Sequence, residues 1–333
     1  MSRRNQLIEL LGIEMPIIMA PMFLVSNVNM VVEAMRSGIA GVIPSLNYLT
    51  GKELAQALED LNKFRYSNEN RGTYGINLIV QSTNKRMEED LKICVEKKVP
   101  FYITSLGNPE KVVEQARTYG AKVLCDVTNI KHAQRVYEIG VDGFIAVGSG
   151  AGGHAGTHPN QLLVPALIKH FPDKPVFAAG GIANGKGILS MLALGAVGVS
   201  LGTLFITSTE AGVSDEYKKA IVDSGMKDII MTSRLSGAPV SIINTPFYRK
   251  LKEQDEKADP NSKDSLTKLE RMEEGISMLE KSIQPGNYNN LWVAGHTVEL
   301  IDEIRSVKDI INRLKEELKL AIEEVREKDY FED

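Results

Sequence analysis

Short apolar, β-branched runs recur along this chain, separated by longer stretches in which apolar residues return at helical spacing. The runs fall at 16–20, 39–43, 74–80, 100–104, 121–126, 143–147, 175–179 and 197–201, eight in all. They are continuous rather than alternating, as expected of strands covered on both faces in a parallel sheet. The gaps leave room for one crossover helix each. Residues 85–95 illustrate the helical pattern, with Met87, Leu91 and Val95 on one face. Eight such strand–helix units predict an α/β fold, a closed (β/α)8 TIM barrel; spacing alone leaves an open doubly wound sheet as the alternative.

Where the glycines and polar residues fall favours closure. Pro21 and Met22 follow the first run, Asn77 lies in the third, 148–156 follow the sixth, Gly180 and Gly181 the seventh, and Gly202 and Thr203 the eighth. In a barrel all of these meet at the C-terminal mouth, where active sites are built. Beyond Pro246 the pattern changes, and 249–274 is dense in Lys, Glu and Asp, with nothing strand-like. The expected organisation is a barrel over 1–245, a smaller, mostly helical insertion or lid over 246–295, and a C-terminal part over 296–333. In that last part Val307, Ile310, Ile311, Leu314 and Leu318 mark a helix, and the charge run over 316–333 reads as a solvated tail.

The chain has 333 residues and a formal net charge of −4. That length suits a barrel with an appendage, and the charge is not the basic footprint of a nucleic-acid binder. Cys94 and Cys125 are the two cysteines, without CxxC spacing, so a disulfide framework or thiolate zinc site is not expected. A reducing, cytoplasmic setting follows, with no signal sequence or membrane span, and a homodimer is compatible with the helical surface.

Two glycine loops point to a phosphorylated ligand. Ala178-Ala179-Gly180-Gly181-Ile182 ends a strand and opens a helix, and Leu201-Gly202-Thr203 repeats the arrangement one strand later. Backbone N–H groups at such turns face anions, and the loops after the last two barrel strands are frequent phosphate sites. The loop Ala151-Gly152-Gly153-His154-Ala155-Gly156 differs, because His154 sits where an imidazole can act as base or donor. His158, beside Pro159, reads as a surface or capping residue. His154 and His158 are four apart, but the glycines argue against the shared helix face a metal site would need.

Together with Gly75-Ile76-Asn77-Leu78, Met19-Ala20-Pro21-Met22, Ser236-Gly237-Ala238-Pro239, Asn244-Thr245-Pro246 and Trp292-Val293-Ala294-Gly295, these loops resemble the nitronate monooxygenase family, formerly the 2-nitropropane dioxygenases. The resemblance implies FMN and oxidation of alkyl nitronates with O2. It implies that Ala20, Pro21 and Met22 run along the flavin and that Asn77 and Thr128 bond its polar edge. Gly152 and Gly153 then approach the cofactor, and Ala179, Gly180, Gly181, Gly202 and Thr203 hold its phosphate. His154 matches the family's active-site histidine, with Ser236 and His296 as further contacts. One departure is Ala294-Gly295-His296, where relatives commonly carry Ala-Gly-Gln. FMN-dependent enoyl-acyl-carrier-protein reductases and quinone reductases that use NAD(P)H share the same loops, and a non-catalytic flavin-binding barrel is a further alternative.

Overall fold

The computed structural model describes residues 10–234, 239–257, 274–275, 277–281 and 291–327. Its centre is a closed parallel barrel of eight strands. These are β1 (Ile17–Met19), β2 (Ala40–Pro44), β3 (Thr73–Ile79), β4 (Phe101–Ser105), β5 (Lys122–Val127), β6 (Gly143–Val147), β8 (Val176–Ala179) and β9 (Gly198–Leu201), with β9 pairing back onto β1. Each lies on one of the apolar runs, so the TIM barrel expected from the pattern is the fold observed.

Two layers of core account for the continuous runs. Alternate residues such as Tyr74, Ile76 and Leu78 on β3 face outward into a layer shared with the helices. The other set, including Ile18, Val42, Phe101, Ile103, Leu124, Ile145 and Phe177, fills the barrel interior with Leu11 and Ile13. Gly75 on β3 belongs to the inner set, and a Cβ there would meet the Phe101 ring at 2.5 Å.

A second sheet stands apart from the barrel. β10 (Ile229–Thr232) pairs antiparallel with β11 (Val240–Ile243), and β11 pairs with β7, the two-residue strand Gly153–His154. It packs over Tyr248, Leu251 and Leu291 as a small separate core. Neither β10 nor β11 was expected from the pattern, and the glycine loop was expected to be without strand structure. The helix Pro246–Lys257 follows β11.

The C-terminal segment also departs from expectation. The helix Val307–Glu327 continues through much of the charge run read as a tail, burying Ala321 beyond Leu314. It packs on the helix Gly185–Ala193, where the Gly185 N–H donates to Glu317 Oε2 at 2.9 Å. On the helix Met87–Glu96 the buried residues are Asp90, Leu91 and Cys94, with Met87 and Val95 only partly covered. Among the described residues no helix is long and apolar enough to cross a membrane.

Candidate active site at the barrel mouth

Alternation fixes which residues crown the barrel. One step beyond the inward-facing Ile18, Val42, Gly75, Ile103, Leu124, Ile145 and Phe177 come Ala20, Pro44, Asn77, Ser105, Asp126, Val147 and Ala179. The polar members of this set fall on β3, β4 and β5. On β9 the same step from Gly198 reaches the buried Ser200, and the remaining positions are apolar.

On the polar side three side chains join hands across adjacent strands. Asn77 Nδ2 donates to Ile103 O at 3.0 Å and to Ser105 Oγ at 2.9 Å, and Ser105 Oγ donates to Asp126 Oδ2 at 2.5 Å. Burial pushes the Asp126 carboxyl up to about 6, against the opposing pull of the Ser105 hydrogen bond. A little of Asp126 still reaches the mouth, but protein surrounds the carboxyl, so desolvation dominates. Thr128, just above, is met by the returning glycine loop: a Cβ on Gly156 would lie 3.2 Å from Thr128 Cβ.

Opposite, the mouth is built from backbone. Gly180 and Gly181 have φ of +95° and +77°, conformations that cost a side-chain-bearing residue strain. Gly181 N–H donates to Gly150 O at 3.1 Å, so this amide is engaged by the neighbouring loop and not directed outward. Asn160 ties the same loops from behind. Its Nδ2 donates to Ala179 O at 2.8 Å and Gly180 O at 2.9 Å, while its buried Oδ1 has no partner. Among the described residues the space above the loops is open: around a Cβ on Gly181 only Gly150 Cα comes within 4.0 Å, and around one on Gly202 only Ala20 Cβ at 3.8 Å and Met22 Cγ at 3.9 Å. Ala20 and Met22 thus face Gly202 across this space, with Pro21 between them half-buried. Asn47 holds the β1 loop, accepting from Leu24 N–H and donating to Ser26 O, both at 2.8 Å.

The glycine loop after β6 is walled by a segment distant in sequence. A Cβ on Gly152 would lie 2.7 Å from Gly295 N and 2.9 Å from Thr203 Oγ1, so the two segments touch backbone to backbone. Gly295 N–H donates to Thr203 Oγ1 at 3.0 Å, which leaves the Thr203 hydroxyl proton available to an acceptor. Upstream, Trp292 stacks on Tyr217, centroids 5.5 Å apart and 6° from parallel, and its carbonyl accepts from Ile243 N–H at 2.8 Å. His296, half-buried, opens the short helix His296–Leu300 at the end of this wall.

His154 rides on β7, where pairing with Val240 of β11 fixes its backbone. Its side chain is open to solvent yet recessed, and desolvation holds the imidazole below its ordinary value of 6.5. At neutral pH it is therefore a neutral imidazole, able to accept a proton or donate one hydrogen bond. Gly153 has φ of +70° and lies against Val293 Cγ1. Ser236 lies outside the described residues, and among the described residues no cluster of His, Cys, Asp and Glu is arranged to hold a metal.

The structure brings together Ala20, Met22, Asn77, Thr128, Gly152, Gly153, His154, Ala179, Gly180, Gly181, Gly202, Thr203 and the approach to His296 at one end of the barrel. Sequence reasoning missed Ser105, Asp126, Asn160 and Asn47. For Ser105 and Asp126 a signal existed, a polar residue at the inward position two beyond an interior apolar one; for the asparagines there was none.

The sequence profile of the nitronate monooxygenase family matches residues 66–317. A probable nitronate monooxygenase of Staphylococcus saprophyticus is 32% identical over 254 residues, 72% of this chain and 69% of that protein. A Mycobacterium tuberculosis protein named (3aS,4S,5R,7aS)-5-hydroxy-7a-methyl-1-oxo-octahydro-1H-indene-4-carboxyl-CoA dehydrogenase is 28% identical over 253 residues, 75% of this chain and 69% of that protein. Among solved structures, FabK from Thermotoga maritima matches with a TM-score of 0.85 at 31% identity, covering 96% of this chain and 98% of that one. Nitroalkane oxidase from Streptomyces ansochromogenes matches with a TM-score of 0.78 at 22% identity over 97% of this chain and 100% of that one, a likeness of fold.

Proposed function

The chain belongs to the nitronate monooxygenase family, and from that premise we propose that it is an FMN-dependent oxidoreductase that oxidises alkyl nitronates with O2 to a carbonyl compound and nitrite. The observation that carries this reading is His154, a desolvated, neutral imidazole held by strand pairing above a mouth whose glycine loops leave open space.

The residues present fit FMN. The space over Gly181 and Gly202, which a Cβ would enter, suits a phosphate, with Ala179, Gly180 and the free hydroxyl proton of Thr203 around it. Ala20, Pro21 and Met22 would line the ring, Asn77 and Thr128 would meet its polar edge, and Gly152 and Gly153 permit close approach. When bound, FMN supplies a two-electron acceptor that can pass electrons to oxygen.

The protein's own part is orientation and proton handling. His154 donates a hydrogen bond to the nitro group or takes the α-proton from a neutral nitroalkane, and the wall of 292–296 keeps water from that face. Ser236 and His296 are assigned to substrate contact. On this reading 1–245 carry the cofactor, 246–295 form the lid, and 296–333 supply a helix that packs on the barrel and a charged tail. Cys94 and Cys125, buried and unpaired, agree with a reducing, cytoplasmic setting.

A second reading is a flavin reductase that draws electrons from NAD(P)H, favoured by the likeness to FabK over nearly the whole chain. Anaerobic mixing of the purified yellow protein with an alkyl nitronate, and separately with NADH or NADPH, decides between them. The proposal expects the nitronate to bleach the flavin; bleaching by nicotinamide alone replaces it with the reductase, and a colourless protein whose thermal transition FMN leaves unmoved removes both.

A further inference from the structure

We propose that Ser105 and Asp126 are positioning residues that lock the Asn77 amide with its carbonyl oxygen toward the mouth, making Asn77 an acceptor for an imide N–H of the bound ligand. The inference rests on the FMN reading, since the imide concerned is the N3–H of the flavin's pyrimidine ring.

Hydrogen-bond polarity fixes the orientation of the Asn77 amide. Ile103 O can only accept, so the Asn77 atom 3.0 Å away must be the amide nitrogen, whichever way the amide might otherwise be turned. The same nitrogen sends its second N–H to Ser105 Oγ at 2.9 Å. Both donors are then spent, and Oδ1 alone remains for a ligand.

Ser105 can accept from Asn77 because its own proton is committed elsewhere. It donates to Asp126 Oδ2 at 2.5 Å, and a carboxylate only accepts. The sense of the row therefore runs in one direction, from Asn77 through Ser105 to Asp126. Each member is held by a different strand of the barrel, β3, β4 and β5, so the row cannot rotate without disturbing the barrel's end. A ligand presenting a carbonyl at Oδ1 meets repulsion, whereas one presenting N–H is bound. An imide, with N–H between two carbonyls, gains from this only if its N–H is centred on Asn77.

Ser105 and Asp126 touch no cofactor atom in this scheme, so the test must read the bond they control. Apoprotein is titrated with FMN and with 3-methyl-FMN, which lacks the N–H, by quenching of flavin fluorescence. The parent is expected to bind FMN about tenfold more tightly than 3-methyl-FMN, a hydrogen bond's worth. Ser105→Ala is expected to lose about tenfold toward FMN and to stay within a few-fold toward 3-methyl-FMN, while Ser105→Thr, which keeps the hydroxyl, restores the preference. Asp126→Asn, whose amide can donate as well as accept, gives an intermediate loss confined to FMN, and it carries the test should Ser105→Ala fail to fold. Equal losses toward both flavins, or a parent indifferent to the methyl group, overturn the inference and leave the FMN reading standing. A parent that binds neither flavin overturns both.

Discussion

The two halves of the barrel mouth are built on opposite principles. Over β3, β4 and β5 the floor is made of side chains, Asn77, Ser105 and Asp126, each committed to a partner through a hydrogen bond. Over β6, β8 and β9 it is made of backbone, with Gly150, Gly152, Gly180, Gly181 and Gly202 bringing main chains together and leaving space above them. The first half selects by the polarity of its groups, the second by the shape it leaves empty. A side-chain site can be retuned by one substitution, whereas a backbone site is altered mainly by filling it.

The largest test of this contrast is the titratable side chain on the backbone half. His154→Ala is expected to retain FMN and to lose on the order of 10²–10⁴ in turnover, the range of general acid–base catalysis. In the parent the acid limb of kcat/KM should fall below pH 6.5, because desolvation lowers the imidazole's pKa and the neutral form persists to lower pH. A limb at or above 6.5, or turnover within a few-fold of the parent in the variant, would assign His154 to structure.

Next in size is a substitution that fills space without touching protein. A Cβ on Gly202 finds only ordinary contacts at 3.8 and 3.9 Å, so Gly202→Ala should leave apoprotein stability within ~0.5 kcal/mol of the parent. FMN affinity should nevertheless drop about tenfold or more as the methyl enters the phosphate space. Equal affinity by fluorescence titration would mean the cradle lies elsewhere.

A further effect, on stability rather than on ligand or turnover, belongs to the side-chain half and depends on pH. In the fold the Asp126 pKa is about 6, above the ordinary 3.8, so between those values the folded state keeps a proton that the unfolded chain has released. Asp126 therefore contributes stability that is complete below about pH 4 and is lost as pH rises to about 6. Asp126→Asn removes the dependence, and its urea-unfolding free energy should gain on the parent's by roughly 1–3 kcal/mol across that window and then run level. A constant difference across the window would place Asp126 in a more solvated setting.

The same contrast explains what was legible in the sequence. Barrel strands announce themselves because both faces are covered, which makes runs such as 143–147 continuous in apolar residues. Glycine loops are legible because close backbone contact needs a residue without Cβ. By contrast, Ser105 lies just past an apolar run and Asp126 at the end of one, and each acquires meaning only from its neighbours in the barrel order. β7, β10 and β11 are two to four residues long, and β7 is a strand only because Val240 lies opposite His154. Such pairing depends on partners some ninety residues away, which no local pattern records. The helical continuation to Glu327 was hidden by its charge, because beyond Leu318 Ala321 is the buried residue that marks its inner face.

The bond from Gly295 N–H to Thr203 Oγ1 also sets an order of events in folding. The last barrel strand ends at Leu201, so the barrel can close while the later chain is still unstructured or still being made. The wall over the glycine loop cannot form until residues 292–295 arrive, because Gly295 lies 92 residues beyond Thr203 along the chain. A refolding chain should therefore regain its barrel signal first and its flavin-quenching signal later.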